Sequence, residues 1–201
     1  MIKSRLYRQF ESPHGVLGRV AGRIMATRDS NVSRNIWIAS VLDPNPGAQI
    51  LEIGHGPGIA IEQLWPSLTS GHIVGLDVSE LMSSTARKRN QAGVDRGAVE
   101  FRVGDAQDVP SDLRDFDVIF GVNVSQFWSD PRATISGLTE RLRESGAITL
   151  VYMQPPTADR PAEMVAEELV IHFEAAGLTG VTTRASDFEP PAIAVTGIRP
   201  T

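Results

Sequence analysis

Residues 49–58, Gln-Ile-Leu-Glu-Ile-Gly-His-Gly-Pro-Gly, run a short apolar stretch directly into three glycines at alternate positions. The apolar run reads as a strand. Glycines just after it supply a turn whose backbone can take positive φ and approach a ligand closely. Ile61, Leu64, Trp65 and Leu68 then fall on one side of the helix that follows. A strand, a glycine turn and a helix form the first unit of an α/β sheet, because a parallel neighbour needs a crossover of a dozen or more residues.

The rest of the chain repeats that unit. His72–Leu76 reads as a second strand, and Ser79 caps a helix through about Gln91. Val99–Val103 is a third strand, and Asp117–Phe120, without polar alternation, a fourth covered on both faces. Asp130-Pro131 starts a helix carrying Ile135, Leu138 and Leu142, expected to end at Ser145-Gly146. Ala147–Tyr152 is a fifth strand, and Pro161–Ala176 a helix ended by Gly177. About Val181–Ala185 and Ile193–Ile198 close the chain with no helix between them, so they must pair antiparallel. The reading is a doubly wound, seven-stranded, mostly parallel sheet whose last strand is antiparallel.

Ahead of it, residues 1–42 form a helical arm, and residues 43–201 form the sheet domain. The arm carries Val16, Leu17, Val20, Ala21, Ile24 and Met25 at helical spacing. A second helix, capped by Asn31, carries Val32, Ile36, Trp37 and Val41 and stops before Pro44. Because the sheet starts at Gln49, the arm reads as a mobile lid over an acceptor pocket.

Charge sharpens the division. The net charge is −5, yet residues 1–34 sum to +5, leaving −10 on the remainder. An acidic body makes a duplex-binding surface a poor reading, since phosphate contacts dominate nucleic-acid affinity. The basic arm has two readings: it docks on its own acidic body, or it lies on an anionic membrane surface. No apolar run is long enough to span a bilayer. The chain has no cysteine and no leader-like start, which points to the cytoplasm. Four histidines without H-x-x-H spacing give no metal site.

In such sheets ligands bind beyond the carboxyl ends of the strands, where strand order reverses. Four features fall there. The first is Glu52-Ile53-Gly54-His55-Gly56-Pro57-Gly58, and the second is Asp77, 23 positions after Gly54. That is near the roughly 20 expected of an acid that holds ribose hydroxyls. The third is Gly104-Asp105-Ala106, and the fourth Asn123 in Phe120-Gly121-Val122-Asn123-Val124.

Taken together, these motifs resemble the class I methyltransferases that use S-adenosylmethionine, tightly from about Gln49 to Val151. The arm before Gln49 and Asn123–Trp128 resemble the small bacterial type 11 group. The resemblance implies a Rossmann-like methyltransferase fold, with S-adenosylmethionine as cofactor and S-adenosylhomocysteine as product. It implies that Glu52 and the backbone of Gly54, His55, Gly56 and Gly58 surround the amino-acid end of the cofactor. Asp77 would hold the ribose diol, Val78 and Met82 would pack on adenine, and Gly104, Asp105 and Ala106 would meet its edge. Asn123 or Val124 would line the methyl-transfer channel. By their place in the chain, His14 in the arm and Trp128 just after the fourth strand are the candidates for substrate contact.

The acceptor expected is a small molecule, and no residue stands out as a catalytic base. Two other readings remain: a methyltransferase-like protein that binds the cofactor without transfer, and a nucleotide-dependent oxidoreductase. Ile59, where the third glycine of G-x-G-x-x-G would fall, and the closing hairpin disfavour the oxidoreductase.

Overall fold

The computed structural model describes residues 29–154 and 160–201. The first arm helix, read over Val16–Met25, and His14 lie outside them. Elements are numbered from Asp29 onward. Seven strands form one sheet: β1 (Gln49–Ile53), β2 (His72–Asp77), β3 (Val99–Val103), β4 (Phe116–Val122), β5 (Leu142–Met153), β6 (Thr179–Ala185) and β7 (Ala192–Ile198). Their order is β3-β2-β1-β4-β5-β7-β6. The β1–β2, β2–β3, β1–β4 and β4–β5 pairs are parallel, while β7 runs antiparallel to both β5 and β6. The doubly wound sheet with a reversed final strand therefore stands as read. Strand order reverses between β1 and β4, so their carboxyl ends flank the crevice where such sheets take ligands.

Side chains alternate across the strands, and those of the central strands bury both faces of the sheet. Leu51, Ile53, Ile119, Ile148 and Leu150 join one apolar cluster. It is covered by α5 (Pro131–Thr139) through Ile135 and Leu138 and by α6 (Ala162–Ala175) through Leu169 and Phe173. Ile50, Ile73, Phe101, Phe120 and Val151 join the opposite cluster. There the cover comes from α1 (Asp29–Leu42), α2 (Ile59–Leu64) and α3 (Glu80–Arg89), followed by the short α4 (Gln91–Asp95). Among the described residues, no helix is long and apolar enough to cross a membrane.

Two local readings change. Leu142 belongs to β5, not to the preceding helix, which stops at Thr139. Leu138 and Leu142 enter the same cluster, so their spacing reports a shared burial and not a shared backbone form. At Gly146 a Cβ would lie within 3.0 Å of the Arg143 and Phe116 carbonyl oxygens, so glycine there lets β5 close against β4. In the arm's second helix, the buried apolar residue is Ile38 and not Ile36, which is 52% exposed. Residues 29–42 are helical, so Asn31 lies within the helix and not at its start. Ile38 is fully buried among Ile50, Ile61 and Val151 and their neighbours.

This seat makes α1 part of the core. Ile38→Ala should lower unfolding free energy by about 2–5 kcal/mol in urea, as cavity-forming substitutions do. Ile36→Ala should stay within about 0.5 kcal/mol of wild type.

Candidate functional site

The loop between β1 and α2 forms from positive φ at Gly54 (63°), Gly56 (52°) and Gly58 (73°). Two of these glycines also meet their surroundings too closely for a side chain. A Cβ on Gly54 would sit 2.4 Å from Val124 Cγ1, and one on Gly58 2.8 Å from Ala86 Cβ. Beside Gly56, no atom of the described residues comes within 4 Å of that position, which leaves that face of the loop open among them.

The loop is braced from the neighbouring elements. Asp77 at the end of β2 accepts from the Gly56 N–H through Oδ2 and from the Ser79 N–H through Oδ1, each at 2.8 Å. The Gly54 N–H donates to the Leu76 carbonyl at 2.7 Å, and the Gly104 N–H to the Asp77 carbonyl at 3.0 Å. Asn90, just beyond α3, donates from Nδ2 to the carbonyls of Gly58 and Ala86, both at 3.0 Å. Asn90 escaped the sequence reading. Its signal was the helical spacing of Ser83, Ala86 and Asn90, three small or polar residues that all turn out buried, facing the loop.

Glu52 sits on β1 beside this loop, 3% exposed, with Oε2 buried and without a hydrogen-bond partner. Burial first, and then the negative charge of Asp77, push its carboxyl pKa well above the ordinary value of 4.5. A buried acceptor left open costs free energy unless a donor reaches it. The unpaired oxygen therefore fits a ligand that brings a cationic donor, and the open face at Gly56 fits a ligand that lies along the loop.

The remaining candidates divide. Val78 is 46% exposed at the end of β2 and Val103 55% at the end of β3, so both present apolar surface. Met82 is only 2% exposed, leaving Val78 as the residue with a face to offer. Asp105 is exposed, with Oδ1 accepting from the Gln107 N–H at 2.9 Å, beside half-buried Ala106. Gln107 in turn accepts from the Ser129 N–H at 3.0 Å and its hydroxyl at 2.7 Å, which ties the loop after β3 to the loop after β4.

Asn123, at φ 54°, uses its Oδ1 to accept from the Met153 N–H at 2.7 Å, so that oxygen braces β5. Val124 closes over Gly54, and Trp128 packs, partly buried, on the α5 side of the sheet. The His55 ring turns under the loop, buried, so only its backbone faces the open side.

A family profile described as a methyltransferase domain matches residues 50–146. Over 174 residues the chain is 29% identical to the uncharacterized methyltransferase YdaC of Bacillus subtilis (strain 168), covering 85% of this chain and 92% of that protein. Residues 50–146 of this chain are therefore similar to a methyltransferase domain. Among solved structures, the CurJ carbon methyltransferase superposes with TM-score 0.73 at 19% identity, over 94% of this chain and 60% of that one. A phosphoethanolamine N-methyltransferase of Haemonchus contortus, solved with S-adenosylhomocysteine, gives TM-score 0.67 at 16% identity, over 84% and 53%. Three further curated relatives are longer, and this chain spans 36%, 44% and 40% of them.

In this domain, Glu52 makes stability depend on pH in a defined direction. The folded chain holds the Glu52 proton to higher pH than the unfolded chain, where the group titrates near 4.5. Stability from this group is full below about pH 4.5 and is lost as pH rises through the folded value. Glu52→Gln should therefore raise the thermal midpoint of the ligand-free protein at neutral pH relative to wild type. The difference should vanish towards pH 4.5. A glutamine variant less stable than wild type at neutral pH would show that the carboxylate is satisfied.

Proposed function

We propose that the protein transfers the methyl group of S-adenosylmethionine to a small-molecule acceptor by in-line displacement. The observation that carries this reading is the unpaired, buried Oε2 of Glu52 beside a glycine loop with an open face. The cofactor's ammonium supplies the donor that this oxygen lacks. The backbone of Gly54–Gly58 supports the amino-acid end. Each Asp77 oxygen spends one acceptor site on a backbone N–H and keeps another for a ribose hydroxyl. Val78 and Val103 offer apolar walls for adenine, and the free Oδ2 of Asp105 accepts from its amine.

When bound, the cofactor supplies a methyl group already activated by its sulfonium. The chain's own contribution is then alignment and exclusion of water, which lower such a barrier by roughly 7–11 kcal/mol. Val124, Asn123 and Trp128, which follow β4, border the side from which an acceptor approaches. The reading assigns no catalytic base to this chain.

Calorimetry with S-adenosylhomocysteine tests the reading. Wild type should bind, and Asp77→Ala should lose at least about tenfold in affinity, the loss of a charge-assisted hydrogen bond. Glu52→Gln should lose at least as much. Below the raised pKa of Glu52, wild type should also release protons on binding, seen as an enthalpy that changes with the buffer. Glu52→Gln should not. A folded wild type that ignores S-adenosylhomocysteine would overturn the reading. Transfer of a labelled methyl group to a metabolite panel would then identify the acceptor.

A further inference from the structure

The geometry points to His55 as a positioning residue that fixes the Gly56 carbonyl of the loop and so preorganises the cofactor surface. The inference rests on the cofactor reading above and adds a residue that acts only through the backbone. The imidazole is buried in a slot made for it. In the middle of β2, a Cβ on Gly75 would sit 2.9 Å from His55 Cδ2, and equally close to Ile61 Cδ1 and Phe101 Cδ1. Glycine weakens a strand interior, and one reason to place it there is a close neighbour. The ring meets Phe101 edge to face, with centroids 5.0 Å apart.

The polar atoms of the ring are directed. Nδ1 lies 2.8 Å from the Gly56 carbonyl oxygen. That oxygen only accepts, so Nδ1 carries the hydrogen. Nε2 then accepts, facing the Ser83 hydroxyl at 3.4 Å. Desolvation lowers the imidazole pKa, against the opposing pull of the Asp77 charge, so the ring stays neutral. Gly56 is thus held on both sides of its Cα, the N–H of the peptide before it by Asp77 and the carbonyl of the peptide after it by His55. With both flanking peptides held, the φ and ψ of this glycine are restrained, and a ligand then meets a loop already ordered. A side chain that only filled the slot would need no donor.

The test uses the full chain and S-adenosylhomocysteine. His55→Phe keeps the ring but removes the donor. His55→Asn keeps an N–H near Nδ1 but loses ring volume. His55→Phe should weaken binding at least about tenfold while staying close to wild type in thermal midpoint. His55→Asn should unfold at lower temperature yet bind within about threefold of wild type. Unchanged affinity in both variants, or affinity that follows stability, would overturn the role.

Nitrogen-15 spectra of the wild-type histidines give a check that needs no variant. His55 should show the neutral Nδ1–H form, and the Nε2–H form would overturn the inference. A wild type that does not bind S-adenosylhomocysteine would overturn the cofactor reading itself, and the positioning role with it. Normal wild-type binding with indifferent variants would overturn the positioning role alone.

Discussion

The Asp77 carboxylate accepts one hydrogen bond from the loop after β1 and one from the turn that starts α3, both at 2.8 Å. Its backbone carbonyl accepts a third, from the loop after β3. One residue therefore ties together the carboxyl ends of three strands. Those N–H donors give each carboxylate oxygen a partner in a nearly closed position, as a buried acceptor requires. The Asp77 charge raises the cost of ionising Glu52 next to it. The ligand-free protein is thus left with one carboxylate satisfied and one wanting, and this asymmetry aims the site at a cation.

The sheet holds that arrangement in place. Its central strands are apolar on both faces, so each is clamped between two helix layers and cannot slip by one residue without turning its side chains to the wrong cluster. Such rigidity lets the loops beyond β1, β2, β3 and β4 be positioned by short backbone hydrogen bonds. Gln107 and Ser129 add a cross-link between two of those loops. The face bearing α1, α2 and α3 also carries the loop's supports, Ser83, Ala86 and Asn90, so the packing of α3 and the shape of the ligand loop are one problem. A stable loop with an unsatisfied acid inside it is the balance expected where function takes precedence over stability.

Much of this was legible in the chain alone. Apolar runs covered on both faces, glycine punctuation and the closing pair without a helix define the parallel sheet and its reversed strand, because each follows from local geometry. Glu52, Asp77 and Asp105 were legible too, since an acid at the carboxyl end of a strand has a place assigned by the alternation itself. Spacing was less informative where helix and strand bury a residue equally, as at Leu142, or where two helical registers compete, as at Ile36 and Ile38.

What only the tertiary structure decided concerns partners far apart in sequence. Nothing local to Gly75 announces that its missing Cβ makes room for His55, and nothing local to Asn90 announces that it holds Gly58. The sequence by itself determined the architecture and the strand ends at which these acids sit, because those depend on periodicity and chain connectivity. Folding decided which polar atom meets which, leaving Glu52 open and the His55 ring turned inward, because hydrogen bonds and burial depend on distances that spacing along a chain does not specify.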